Sequence, residues 1–278
     1  MLRSLLMFRP LLAVAALPGA LVATNAGAQT AETETKEAKE PRRIRVALGP
    51  QLGPAYPGAD NLGLSPLVDV AVARGDEPFE FEAADESFGF ALLKAKGFSI
   101  GPALNFQTGR KRNESHVGID EVGTTIEVGG YVQYWIAPKL RFHGELRQGV
   151  NGHKALVGNV GLDYVARDRD RWLFAIGPRV SLSNAKYQDV WFQVSPREAA
   201  ATGLPAFEPK GGGVHAVGAN ATGLYQLSPR WGLYGFAKYD RLVGDAARSP
   251  IAQGIGSRNQ LSGGIGLSFT FGRGVGRR

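Results

Sequence analysis

Glu127, Arg141, His143, Glu145 and Arg147 alternate with apolar or small residues, and Asp163 and Arg179 continue the pattern downstream. A carboxylate beside a histidine can relay protons. A ring of fixed charges can select ions in a pore. The same residues can also neutralise one another and fill a narrow lumen, which low-dielectric surroundings tolerate only when every charge is paired. The signs here do alternate along the chain. Nucleophilic catalysis needs a serine or thiol within reach of a histidine that a third group orients. The histidines are His116, His143, His153 and His215, and none stands in a recognisable Ser–His pairing. His116 and His153 read as loop residues, the latter beside an Asn151-Gly152 turn. Cysteine is absent, which excludes thiolate metal sites and disulfides, and no H-E-x-x-H spacing occurs. The glycine-rich end lacks the Lys-Ser/Thr of a phosphate loop. No catalytic, cofactor-binding or metal-ligating residue is therefore expected.

The elements that carry these residues have a period of two. In the last of them Leu261, Gly263, Ile265, Leu267, Phe269 and Phe271 share one face, and Ser262, Gly264, Gly266, Ser268 and Thr270 the other. Such alternation predicts a strand with one apolar and one wet face. Similar segments run at 43–51, 64–73, 97–108, 124–136, 140–149, 155–166, 172–183, 214–227 and 231–242, with weaker ones at Pro78–Ala83 and Phe88–Leu93. The total is about twelve, an even number as single-chain outer-membrane barrels require. Connections alternate between short turns, such as Ala137-Pro138, and long loops at 52–63, 109–123, 184–213 and 243–260. This predicts an all-β, transmembrane, antiparallel up-and-down barrel with short periplasmic turns and long extracellular loops. Trp135, Trp172, Trp231, Tyr134, Tyr164, Tyr225 and Tyr239 lie near strand ends, where aromatic girdles form.

Residues 1–28 read as a cleaved export signal: Arg3 and Arg9, an apolar stretch broken by Pro18-Gly19, then Ala26-Gly27-Ala28. Residues 29–42 are polar and free of aromatics, as expected of a disordered periplasmic leader. The barrel is expected over 43–272 and a short basic tail over 273–278. The formal charge is +7, but the arginines are spread rather than clustered, which argues against nucleic-acid binding.

Loop 184–213 carries Tyr187, Trp191, Phe192, Leu204 and Phe207 where water is expected. Exposed apolar surface is unfavourable by about 25 cal/mol per Å². The loop is thus expected to fold over the barrel mouth, with Tyr187, Trp191 and Phe192 on the rim. Ser195, Pro196 and Glu198 have the spacing of a capped helix start. A Pro196–Ala201 helix would then cap this lid, of which Phe207 is also a part; the alternative is a surface turn packed only on its own loop.

Several segments together resemble the MltA-interacting protein (MipA)/OmpV family: Gly53-Pro54-Ala55-Tyr56-Pro57-Gly58-Ala59-Asp60, Gly97 to Leu104, Glu145 to Gly149 with Gly152-His153, Phe192 to Ala199 with Thr202-Gly203-Leu204-Pro205, and Leu242 to Ile251 with Gly256-Ser257-Arg258-Asn259-Gln260. The likeness runs from about Val46 to Phe271. It implies an outer-membrane barrel in contact with outer-membrane lipid. For the family's namesake it implies a scaffold that joins a lytic transglycosylase, which cuts peptidoglycan, to a peptidoglycan synthase, which builds it. No catalytic residue comes with that role. Other members are similar to surface antigens or adhesins. Gly266-x-x-Phe269-x-Phe271 resembles the terminal signal read by the barrel-assembly machinery. A structural scaffold is the leading expectation, a narrow channel for small polar solutes the next, and an outer-membrane lipid hydrolase the third.

Overall fold

The structure, a computed structural model, describes residues 40–111 and 118–272. The signal, most of the leader, His116 and the basic tail lie outside the described residues. The strands are β1 (Arg42–Pro54), β2 (Leu62–Arg74), β3 (Phe88–Gly89), β4 (Leu93–Ala95), β5 (Phe98–Gln107), β6 (Thr125–Ala137), β7 (Leu140–Gly149), β8 (Leu156–Asp168), β9 (Trp172–Ser183), β10 (Gly213–Gln226), β11 (Trp231–Leu242) and β12 (Asn259–Phe271). Four short helices lie in the long loops: α1 (Ala185–Phe192), α2 (Pro196–Thr202), α3 (Gly244–Arg248) and α4 (Pro250–Gly254). The full strands have 10 to 14 residues, enough for a tilted bilayer crossing.

All pairings are antiparallel, in the order β2-β1-β12-β11-β10-β9-β8-β7-β6-β5-β3, with β4 also on β5. The first and last strands meet directly, Ile44 opposite Phe271 and Val46 opposite Phe269. From β5 to β12 each strand pairs with the next in sequence, through a short turn or a long loop, as sequential hairpins do. The sheet is curled into an outer-membrane β-barrel wall. Its outward positions are exposed and apolar, among them Leu48, Val70, Ile100, Leu146, Phe174, Ile265 and Leu267. Its inward positions are buried and polar, as a lipid-facing barrel requires.

Two expectations are corrected here. Pro78–Ala83 alternates like a strand but pairs with no neighbour in the sheet; it runs inside the wall, with Phe79 and Phe81 only 3% exposed. Its alternation is that of any extended backbone, and its Glu80 and Glu82 would be costly facing lipid. Trp135 shares the inward parity of Glu127 and packs against the cluster of Phe81, Ala83, Val165 and Ala175 rather than joining a girdle. Tyr134, Tyr164, Trp172, Tyr225, Trp231 and Tyr239 do face outward.

Candidate functional site

The wall side chains lie in two linked groups. Across β6 and β7, Arg147 donates to Glu127 at 2.7 Å and pairs with Glu145. Across β7, β8 and β9, Asp163 accepts from Arg179 at 2.7 Å and from Arg141 at 3.3 Å. His143 bridges the groups, with Glu86 and Glu145 carboxylates each 3.7 Å from its ring nitrogens. The structure therefore brings together all seven residues singled out above: Glu127, Arg141, His143, Glu145, Arg147, Asp163 and Arg179 are each less than 10% exposed.

The partner that sequence reasoning missed is the segment between β2 and β3. Arg141 grips both oxygens of Glu86 at 2.8 and 2.6 Å and lies over the Phe81 ring at 5.0 Å. Asp85 is held by Arg179 at 2.9 Å and Lys238 at 3.4 Å. At the turn end Phe79 sits under Arg43 and Arg45, while its N–H donates to Asp170 at 2.9 Å and its carbonyl accepts from Arg167 at 2.8 Å. Residues 78–87 thus occupy the lumen and are tied to the wall by side chains, not by a backbone ladder. The available signal was the acid excess of Glu80, Glu82, Asp85 and Glu86 in a segment with no basic neighbour of its own.

His153 lies in the turn where it was expected. Its burial was not foreseen: it is only 1% exposed. The Ala155 N–H donates to its Nδ1 at 3.0 Å, which leaves the proton of the neutral ring on Nε2, 2.9 Å from Glu127. Space for the ring comes from Gly149, where a Cβ would lie 2.7 Å from His153 Cε1. The edge of His153 meets Tyr187 at 5.4 Å between centroids. The charged lumen and the outer cap therefore touch.

That cap is built from four loops. Tyr56, Ile119, Val122, Tyr187, Trp191, Phe192, Val194 and Ile251 form one buried cluster, with Leu204 and Phe207 packed against it. Trp191 and Phe192 are fully buried. Asn184 caps α1, accepting from Tyr187 N–H at 3.1 Å. At the other end Arg110 donates to the carbonyls of Val190 and Trp191 at 3.1 Å each, filling acceptors that a helix terminus leaves open. Arg110, 2% exposed, was not singled out from the sequence. Ser249 Oγ donates to the Phe192 carbonyl at 2.6 Å, and Gln260 accepts from Gly58 N–H at 3.0 Å. Three of the segments that carried the family resemblance, 53–60, 192–205 and 242–260, thus contribute to the cap.

Pro196 opens α2, and Glu198 completes its capping box. The Glu198 carboxylate accepts from Ser195 N–H at 2.8 Å, Ser195 Oγ at 2.7 Å and Asp120 N–H at 2.9 Å. Burial pushes its pKa up, but these bonds outweigh burial and hold it below the ordinary 4.5. A depressed carboxylate contributes its full stabilisation above the unfolded value and loses it as pH falls through the folded one. Acidification below 4.5 should therefore free the Asp120 amide. Its hydrogen-exchange protection, corrected for intrinsic rate, should drop there in the wild type and already be low at neutral pH in Glu198→Ala. Protection unchanged in that variant would refute the tie.

At the opposite end, Gly266 faces inward on β12 while Phe269 and Phe271 lie on its outward face, their rings 4.7 Å apart, with Trp231 equally close to Phe269. Among the described residues no group of acids and histidines is arranged to hold a metal ion.

Comparison with solved structures returns outer-membrane barrels at low identity. The NanC porin shares 11% identity over 82% of this chain and 98% of its own, with a TM-score of 0.38. An outer-membrane channel from Pseudomonas putida F1 shares 9% over 87% and 100%, with a TM-score of 0.40. A bacterial polysaccharide outer-membrane secretin shares 10% over 83% and 98%, with a TM-score of 0.39. No curated protein matches the sequence. The model of the MltA-interacting protein MipA family matches residues 46–271, nearly all of the barrel described above, and the chain belongs to that family.

Proposed function

We propose that this outer-membrane barrel is a non-enzymatic anchor that holds murein-processing enzymes at its periplasmic face. One observation supports the reading: among the described residues, 78–87 run inside the wall on side-chain ties and a packed aromatic cluster joins the long loops at one end. A barrel obstructed at both levels would suit attachment better than transport. Most of the lumen charges pair with one another: Arg141 with Glu86 and Asp163, Arg147 with Glu127 and Glu145, and Arg179 with Asp85 and Asp163. The family description names an interaction with MltA, and that supports a lytic transglycosylase as the first partner. The turns at the end opposite the cap expose Lys96, Lys139, Arg169, Arg171 and Arg230 beside Asp76, Glu77 and Asp168, a net-basic rim suited to an acidic partner surface. Assembly would depend on Gly266, Phe269 and Phe271.

Crosslinking in intact envelopes followed by capture of the barrel should recover a lytic transglycosylase and a peptidoglycan synthase. Reversing Lys96, Lys139, Arg169 and Arg230 to Glu should lower that recovery severalfold while the barrel's heat-modifiable gel mobility stays unchanged. Recovery of the assembly machinery alone would overturn the anchor role. A gated channel for small polar solutes is the second reading. It is favoured by the attachment of residues 78–87 through side-chain ion pairs, which can be released without breaking the wall.

A further inference from the structure

From β2 through β1 and β12 round to β5, every neighbouring pair of strands is joined by a ladder, whereas β2 and the β3–β4 stretch share none among the described residues. Unpaired backbone facing hydrocarbon is strongly unfavourable. Wherever such a seam persists, water or a ligand must meet it. A cavity of about 200 Å³ opens there. Its lips are Val70 and Val72 on one side and Phe90 and Ala91 on the other, and the first three are exposed on the outer surface.

The interior of this cavity is not apolar. Glu80, Glu82 and Glu86 all line it. Lys94 answers Glu80 and Arg141 answers Glu86, but Glu82 has no hydrogen bond or ion pair among the described residues, and its side chain is exposed. Tyr131 and His143 stack at 5.7 Å and 17° on the wall beside it. The Tyr131 ring fits because Gly89 and Gly101 face it; a Cβ on either would lie 2.9 Å from its Cε1. His143 is 6% exposed, and Arg141 approaches its Nδ1 at 3.3 Å. Arginine can only donate, so the ring proton sits on Nε2, which has no hydrogen bond; the Glu145 carboxylate is 3.7 Å away. Ser87 Oγ, also on the cavity wall, is buried and unsatisfied too. A buried donor without an acceptor is a cost that a ligand oxygen removes.

We propose that the unpaired seam between β2 and β3–β4 is a side entrance from the membrane to a binding site for an amphipathic organic monocation. The ammonium pairs with Glu82 against the Tyr131 face, where a cation is attracted by the ring. A carbonyl or hydroxyl oxygen of the ligand accepts from His143 Nε2. The apolar arm lies between Val70, Val72 and Phe90, in reach of lipid. This site differs from the periplasmic rim, and its occupancy is read on the purified chain, so it stands or falls apart from the anchor role.

The test uses the full chain in phospholipid nanodiscs, with procaine as probe, since it joins an ammonium to an ester carbonyl and an aromatic arm. Benzocaine, which lacks the ammonium, is the control. Ligand-observed NMR should give saturable procaine binding that Glu82→Gln weakens by about tenfold, the loss of one ion pair. Benzocaine should bind more weakly and be indifferent to that substitution. Ala91→Trp should block procaine by filling the lip while the barrel's heat-modifiable mobility is retained. Procaine binding equal in the wild type and Glu82→Gln would overturn the site. Binding that survives Ala91→Trp undiminished in both rate and affinity would overturn the side entrance. No procaine binding to the wild type would overturn both.

Discussion

Arg141→Met is expected to destabilise the barrel by about 3–5 kcal/mol, the range for breaking a buried ion pair by removing one partner. Arg141 is fully buried and serves Glu86, Asp163 and Gln133 at once. Asp163 keeps Arg179 when Arg141 is lost, but among the described residues Glu86 keeps only His143 at 3.7 Å. The cost therefore falls on the segment inside the lumen. Urea titration in lipid vesicles, followed by tryptophan fluorescence, measures it. Adding Glu86→Gln to Arg141→Met should recover part of the loss, because it removes the stranded charge. A double variant no more stable than the single one would show that the two groups are not coupled, and the assignment of Glu86 as the segment's main tether would fall.

The second large effect concerns permeability. Two barriers lie in series: the aromatic cap and the segment in the lumen. Deleting residues 195–207 removes α2 and the Val194–Phe207 bridge that holds the loop over the mouth. Planar-bilayer conductance should nevertheless stay near zero, since Asp85 and Glu86 still anchor the inner barrier to Arg179, Lys238 and Arg141. Combining the deletion with Asp85→Asn and Glu86→Gln should produce stable current steps. The exposed guanidinium groups of Arg141 and Arg179 should then favour anions. Current from the deletion alone would place the whole barrier in the cap. A silent combined variant would mean that the wall side chains alone fill the lumen, and the inner segment would lose its role as a plug.

How far residues alone reach is clear from particular elements. The alternation of β12 and β7 marks both strand and facing, because in an extended chain each side chain's direction is set by its immediate neighbours. Parity counted from Glu127 even places Trp135 inward. The helix start at Ser195 is equally local, since its capping bonds join residues three apart. Pro78–Ala83 has the same alternation and a different fate. Extended backbone has a period of two whether it joins a sheet or runs beside one. What draws this segment inward is the positive charge of Arg141, Arg179 and Lys238, residues that meet only when distant strands close the barrel. His153 likewise looks like any residue after an Asn-Gly turn, and is buried because Glu127 and Gly149 come to stand beside it. Strand facing and helix caps follow from interactions along the chain. The contents of the lumen, the sealing of the mouth and the position of the open seam follow from charges and apolar surfaces that only closure brings within reach of one another.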